Sequence, residues 1–60
     1  MIMKFENKAN GKVIDVKDVS MFTTDSTCLG ARGYGVNYKD GTFSLYAWKE
    51  WRLILVKEDK

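Results

Sequence analysis

Tyr34-Gly35-Val36-Asn37-Tyr38-Lys39-Asp40-Gly41-Thr42-Phe43-Ser44-Leu45-Tyr46-Ala47 is the stretch that decides the fold. Asp-Gly favours a two-residue hairpin turn of type I′, because both central positions of that turn need a positive φ. Closing the chain there sets Tyr38 opposite Phe43, Val36 opposite Leu45 and Tyr34 opposite Ala47, which makes one continuous apolar face. The other face sets Asn37 opposite Ser44, Gly35 opposite Tyr46 and Gly33 opposite Trp48. Glycine weakens a strand unless a neighbour packs over it or the sheet bends there. Two glycines beneath two large rings therefore predict a curved sheet.

Upstream, Asn10-Gly11 is a second turn of the same chemistry. A two-residue loop there pairs Phe5 with Val16, Asn7 with Ile14 and Met3 with Asp18. The reverse face carries Lys4 beside Lys17 and Glu6 beside Asp15, with favourable diagonals from Lys4 to Asp15 and from Glu6 to Lys17. One face is mostly apolar and the other charged, the pattern of a hairpin wetted on one side. Segment 12–22 reads as one long bent strand or as two. Thr23-Thr24-Asp25-Ser26-Thr27 reads as a polar connector.

Downstream, Trp48 and Trp51 stand three apart around Lys49 and Glu50, a spacing that predicts one short 3₁₀-like turn. Arg52-Leu53-Ile54-Leu55-Val56-Lys57 then reads as a strand covered on both faces. The expected fold is mainly β: a single domain over residues 1–60, built as a small SH3-like antiparallel barrel of about five strands with one 3₁₀ turn before the last. A curved antiparallel sheet completed by dimerisation is the alternative.

A chain of 60 residues buries only about 60% of the surface its unfolded form exposes, which leaves little room for a deep catalytic cleft. The sequence has no histidine and one cysteine, Cys28. An intramolecular disulfide and ordinary zinc sites are therefore excluded, and the commonest general base is missing. Cys28, in the apolar run Thr27-Cys28-Leu29, reads as a small buried hydrophobe rather than a nucleophile. No catalytic residue, metal or cofactor is expected, and the chain does not read as an enzyme. Oligomerisation, as a homodimer or higher assembly, is the remaining way to reinforce so small a core.

Ten basic and eight acidic residues give a net charge of +2, well short of a protein that coats DNA. Charge enters at Lys4, too early for a signal peptide, and no run is apolar enough to span a membrane. With a single free thiol, the cytoplasm is the expected compartment.

The distinctive feature is aromatic. Tyr46 and Trp48 fall together on one predicted face beside Lys49 and Arg52, with Trp51 close in sequence. Such a cluster suits an interface hot spot or a base-stacking platform, and equally the second side of a closed barrel. Gly30-Ala31-Arg32-Gly33-Tyr34-Gly35 lacks the ending of a P-loop and reads as a sharply bent strand, although Arg32 and the backbone at Gly33 suit an anion.

The C-terminal pattern Asp40-Gly41-Thr42-Phe43 … Trp48-Lys49-Glu50-Trp51-Arg52-Leu53-Ile54-Leu55-Val56 resembles the end of small phage-encoded β proteins, among them a Thoeris anti-defence family that sequesters nucleotide-derived signals. The resemblance covers the last third of the chain and implies a phage or mobile-element accessory protein, without assigning any ligand-binding residue. The functional expectation is an interaction module that modulates or inhibits a host protein through Tyr46, Trp48, Lys49, Trp51 and Arg52. A nucleic-acid-binding module and an oligomeric sponge for a small nucleotide-derived ligand are the alternatives.

Overall fold

A computed structural model describes residues 1–58. The chain forms six strands: β1 (Ile2–Asn7), β2 (Val13–Val16), β3 (Val19–Cys28), β4 (Ala31–Tyr38), β5 (Phe43–Ala47) and β6 (Trp51–Lys57). They make two three-stranded antiparallel sheets, ordered β2-β1-β6 and β3-β4-β5. Among the described residues, backbone ladders do not close the two sheets into one barrel. None of the described residues is helical.

Segment 12–22 is two strands, which is why the count is six rather than about five. Asp18, at φ 59°, turns the chain sharply between them. Aspartate visits this left-handed region at lower cost than bulky residues. Beyond the corner the Val19 N–H donates to the Met1 carbonyl at 3.2 Å, and the Met1 amino group donates to the Val19 carbonyl at 2.9 Å. Lys39 N–H also donates to the Asp18 carbonyl at 2.8 Å. The start of β1 and the tip of the β4–β5 hairpin thus tie the corner to both sheets.

Both expected turns occur, but neither is a two-residue loop. Gly11 and Gly41 have φ of 74° and 92°, whereas Asn10 and Asp40 keep negative φ. Their side chains take a different role: the Asn10 Oδ1 accepts from Lys12 N–H at 2.9 Å, and the Asp40 Oδ1 accepts from Thr42 N–H at 2.9 Å and Thr42 Oγ1 at 2.7 Å. These are Asx turns, which favour a longer loop ending in a left-handed glycine. The first hairpin closes by Asn7 N–H to the Lys12 carbonyl, leaving four loop residues. The second closes by Tyr38 N–H to the Thr42 carbonyl, with Gly41 N–H to the Tyr38 carbonyl inside it, leaving three.

The two longer loops differ in consequence. In the first hairpin the pairing moves by two, to Met3 with Val16, Lys4 with Asp15 and Phe5 with Ile14, so every side chain keeps its expected face. In the second it moves by one, to Tyr34 with Tyr46, Gly35 with Leu45, Val36 with Ser44 and Asn37 with Phe43. A slip of one inverts a strand. Tyr46 therefore turns into the core, and Leu45 and Phe43 turn out, so the expected pairs of Val36 with Leu45 and Tyr38 with Phe43 do not form.

The core is Met3, Phe5, Val16, Val19 and Val36, ringed by partly buried residues that include Phe22, Tyr34, Tyr38, Tyr46, Trp51 and Leu53. A third tight turn, Leu29-Gly30, joins β3 to β4. Both residues have positive φ, 52° and 81°, and Cys28 pairs directly with Ala31. That is the type I′ geometry, at a dipeptide that lacks the usual Asn or Asp. The stretch Thr23–Thr27 is accordingly strand rather than connector, interrupted by a register shift between Thr23 and Ser26. Cys28 is exposed, not buried as its neighbours suggested, because it sits at the end of this projecting hairpin. Between Trp48 and Trp51 the 3₁₀ turn is replaced by a turn whose i to i+3 bond runs from Glu50 N–H to the Ala47 carbonyl at 3.0 Å.

Three stability measurements check this register and its turns. Phe5→Ala removes a fully buried ring and costs about 3–5 kcal/mol, comparable with the whole stability of a small domain. Leu45→Ala, on the outward face, costs under about 1 kcal/mol in chemical denaturation. Leu29→Gly raises stability by about 1 kcal/mol, since glycine occupies the left-handed region without the penalty a branched side chain meets there. An unchanged or lower denaturation midpoint for Leu29→Gly would refute the turn assignment.

Candidate functional site

The five residues expected to form one binding face are divided by the fold. Tyr46 lies between the sheets, its ring stacked on Phe5 with centroids 4.5 Å apart and planes 12° apart. Trp51 meets the edge of Tyr46 at 5.7 Å and 85°. Offset and edge-on contacts of this kind match the ring quadrupoles and add to the burial gain. Tyr46 and Trp51 are thus committed to packing the two sheets together. The Tyr46 hydroxyl lies 3.3 Å from that of Tyr38. Burial, and then the hydrogen bond to Tyr38, push the Tyr46 phenol up from its usual 10.0 to about 12.

Trp48, Lys49 and Arg52 remain at the surface. Trp48 is half-buried at the end of β5, where its indole Nε1 donates to the Thr24 carbonyl at 3.1 Å. Its own N–H donates to the Arg32 carbonyl at 3.1 Å, which extends the β4–β5 ladder by one pair. The Arg32 guanidinium stands 5.2 Å from the centroid of the indole, within cation–π range. That guanidinium also donates both ways to Asp25, at 3.0 and 2.9 Å. One hydrogen bond and one stacked cation thus fix the Trp48 ring, while its remaining edge faces solvent.

Open grooves flank the ring. One, of about 570 Å³, follows the seam between the two sheets and is lined by Lys8, Thr24, Tyr34, Trp48, Arg52 and Leu53. The other, of about 470 Å³, lies under the β3–β4 hairpin between Leu29, Arg32, Trp48 and Lys49. Four cations line the two grooves and no carboxylate does. Arg52 donates to Glu6 on the neighbouring strand, and that bond raises the guanidinium pKa further. A third cavity, of about 610 Å³, is lined by Lys17, Asp18, Tyr38, Lys39, Asp40 and Thr42, so its charges are mixed in sign.

The glycine-rich stretch does not form an exposed anion loop. Gly33 is buried within β4, where an added Cβ would stand 2.7 Å from the Ala47 Cα and collide with the Tyr46 carbonyl. Arg32 is engaged by Asp25 and Trp48, as described. Sequence reasoning missed Lys8 and Thr24: Lys8 is carried to the groove by its N–H bond to the Glu50 carbonyl at 2.9 Å, and the Thr24 carbonyl accepts from the Trp48 indole. No local signal marks either residue. No group of three or more His, Cys, Asp or Glu side chains among the described residues has a spacing that suits a metal ion. No protein-family model matches the chain, and neither do the curated proteins or the solved structures compared with it.

The Tyr46 phenol gives a pH test of the packing. Its proton is held more tightly in the folded chain than at the usual value of 10.0, so its contribution to stability is complete below about pH 10 and is lost as pH rises toward 12. Thermal melting across that window falls for the parent and falls less for Tyr46→Phe, which has no phenol to ionise. Equal slopes for the two proteins would mean that Tyr46 is not packed as described.

Proposed function

We propose that the chain is a non-enzymatic interaction module, an SH3-like β domain that binds the acidic surface of a protein partner across Trp48. The observation that carries this reading is the charge of the two flanking grooves: Lys8 lines one and Lys49 the other, neither lining contains a carboxylate, and the arginines beside them, Arg52 and Arg32, are already paired with Glu6 and Asp25. A half-exposed indole already held in place loses little conformational freedom on docking, which is how aromatic hot spots yield affinity. The surrounding cations steer an acidic partner toward it and penalise a basic one. The SH3-like reading is supported by the chain path. A bent β2–β3 unit leaves one sheet for the other at Asp18, β3–β4–β5 form a meander, and β6 returns beside β1.

A nucleic-acid strand is less favoured as the partner. Base stacking along a strand uses several open rings, whereas Tyr46 and Trp51 pack in the core. The resemblance of the last third to phage-encoded anti-defence proteins extends the proposal to a modulator or inhibitor of a host protein in the cytoplasm.

The test begins with a partner captured by cross-linking from cells, followed by calorimetry on purified proteins. Trp48→Ala should weaken binding by about 30-fold or more while the circular dichroism stays that of the parent. Lys8→Glu and Lys49→Glu should slow association, with Lys57→Glu on β6 as the control outside the grooves. A folded Trp48→Ala that binds as the parent does would overturn the proposal. Oligonucleotide binding that collapses between about 50 and 200 mM salt and requires Trp48 would replace a protein partner with nucleic acid.

A further inference from the structure

Each sheet ends in two edge strands, and an open edge invites pairing with another chain unless it is guarded by charge, brevity or irregularity. Three of the four edges here are guarded. Strand β2 has four residues and carries Asp15. Strand β3 carries Asp25 and is interrupted by register shifts after Val19 and after Thr23. Strand β6 carries Arg52 and Lys57 and bulges at Ile54, between Leu53 opposite Phe5 and Leu55 opposite Lys4. Strand β5, Phe43-Ser44-Leu45-Tyr46-Ala47, has no charge and pairs with β4 without a shift. Among the described residues its far side meets no strand.

The hydrogen-bond phase says which groups that edge offers. The bonds from Tyr38 N–H to the Thr42 carbonyl and from Trp48 N–H to the Arg32 carbonyl mark the even-numbered residues of β5 as the hydrogen-bonded partners of β4. In an antiparallel ladder the intervening residues point their N–H and C=O groups the other way. Phe43, Leu45 and Ala47 therefore present their backbone groups outward. Their side chains share the outer face of the sheet with Met21, Thr23, Gly33, Gly35 and Asn37, a face with no charged residue in a chain that is 30% charged. Met21 and Phe43 on this face are 57% and 46% exposed.

We propose that two copies of the chain pair antiparallel through β5, forming a continuous six-stranded sheet about a two-fold axis at Leu45. In that register Leu45 faces its own copy, and Phe43 faces Ala47 of the second copy on either side. The large ring thus lies against a small side chain, and the outward N–H and C=O groups of all three residues find partners. A second copy fits better than a foreign strand for two reasons. The strand is self-complementary about its centre, as an isologous interface requires. In addition, self-association of a chain of charge +2 brings no charged side chain of β5 against its copy. The pairing sets Phe43 of the second copy against Ala47, which lines the groove under the β3–β4 hairpin, so the dimer carries one Trp48 at each end of the new ladder.

The test is the mass of the free protein by sedimentation equilibrium from micromolar to millimolar concentration. The parent should approach twice the 6.9 kDa chain mass as concentration rises. Leu45→Lys sets two ammonium groups directly opposite one another and should raise the dissociation constant by about tenfold. Leu45→Glu should do the same, and mixing the two variants should restore the dimer. If either variant fails to fold, amide exchange on the parent supplies the same answer: the Leu45 and Ala47 N–H groups should become protected as concentration rises. A parent that stays monomeric at millimolar concentration overturns the proposal. So does a dimer indifferent to both Leu45 variants, or one whose Leu45 amide exchanges at a concentration-independent rate.

Discussion

Everything in this fold depends on one ring reaching across from the first strand. Phe5, on β1 in one sheet, stacks on Tyr46 at 4.5 Å and tilts against Tyr34 at 5.4 Å, both in the other sheet. With Met3 beside it, Phe5 is fully shielded from water. A domain with five buried hydrophobic residues among those described has no second core to fall back on. That contact sets which face of β4 and β5 looks inward, and hence which residues are left for the surface.

The choice of Tyr46 over Leu45 as the inward residue of β5 shows how this works. Leucine there would leave Phe5 without a flat partner, and the Tyr46 hydroxyl would lose its bond to Tyr38. The three-residue loop closed at Gly41 delivers that phase, and the Asp40 carboxylate holds the loop through its bonds to Thr42, which lower its pKa. A short polar turn and a large buried ring thus specify the same register. The price is an outward apolar row at Phe43 and Leu45 and an edge without charge.

The surface chemistry follows from the same geometry. Trp48 is the next even-numbered residue after Tyr46, so it extends the inward row past the end of the core and emerges at the seam between the sheets. There it meets Thr24, brought in where the β3 register shifts, and Arg32, its ladder partner on β4. Ion pairs elsewhere, such as Lys4 with Asp15, lie on exposed strand faces and contribute little to stability. They do help keep strands β1 and β2 soluble and in register, which β5 does without.

Local patterns in the chain were enough to establish a mainly β fold, both glycine turns at positive φ, the first hairpin's faces and the existence of the second. These are legible because turn glycines and period-two alternation act over a few residues. A slip of two in the first hairpin was harmless for the same reason. What the sequence could not decide was the phase of β5, since Asp-Gly supports both a two-residue and a three-residue loop, and these invert the strand. It also concealed the Leu29-Gly30 turn, whose leucine carries no turn signal, and with it the exposure of Cys28. The candidate site was legible only in part. Trp48, Lys49 and Arg52 could be named from their neighbours in sequence, but the division of the aromatic cluster and the arrival of Lys8 and Thr24 were settled by packing across two sheets, a long-range constraint that no local window contains.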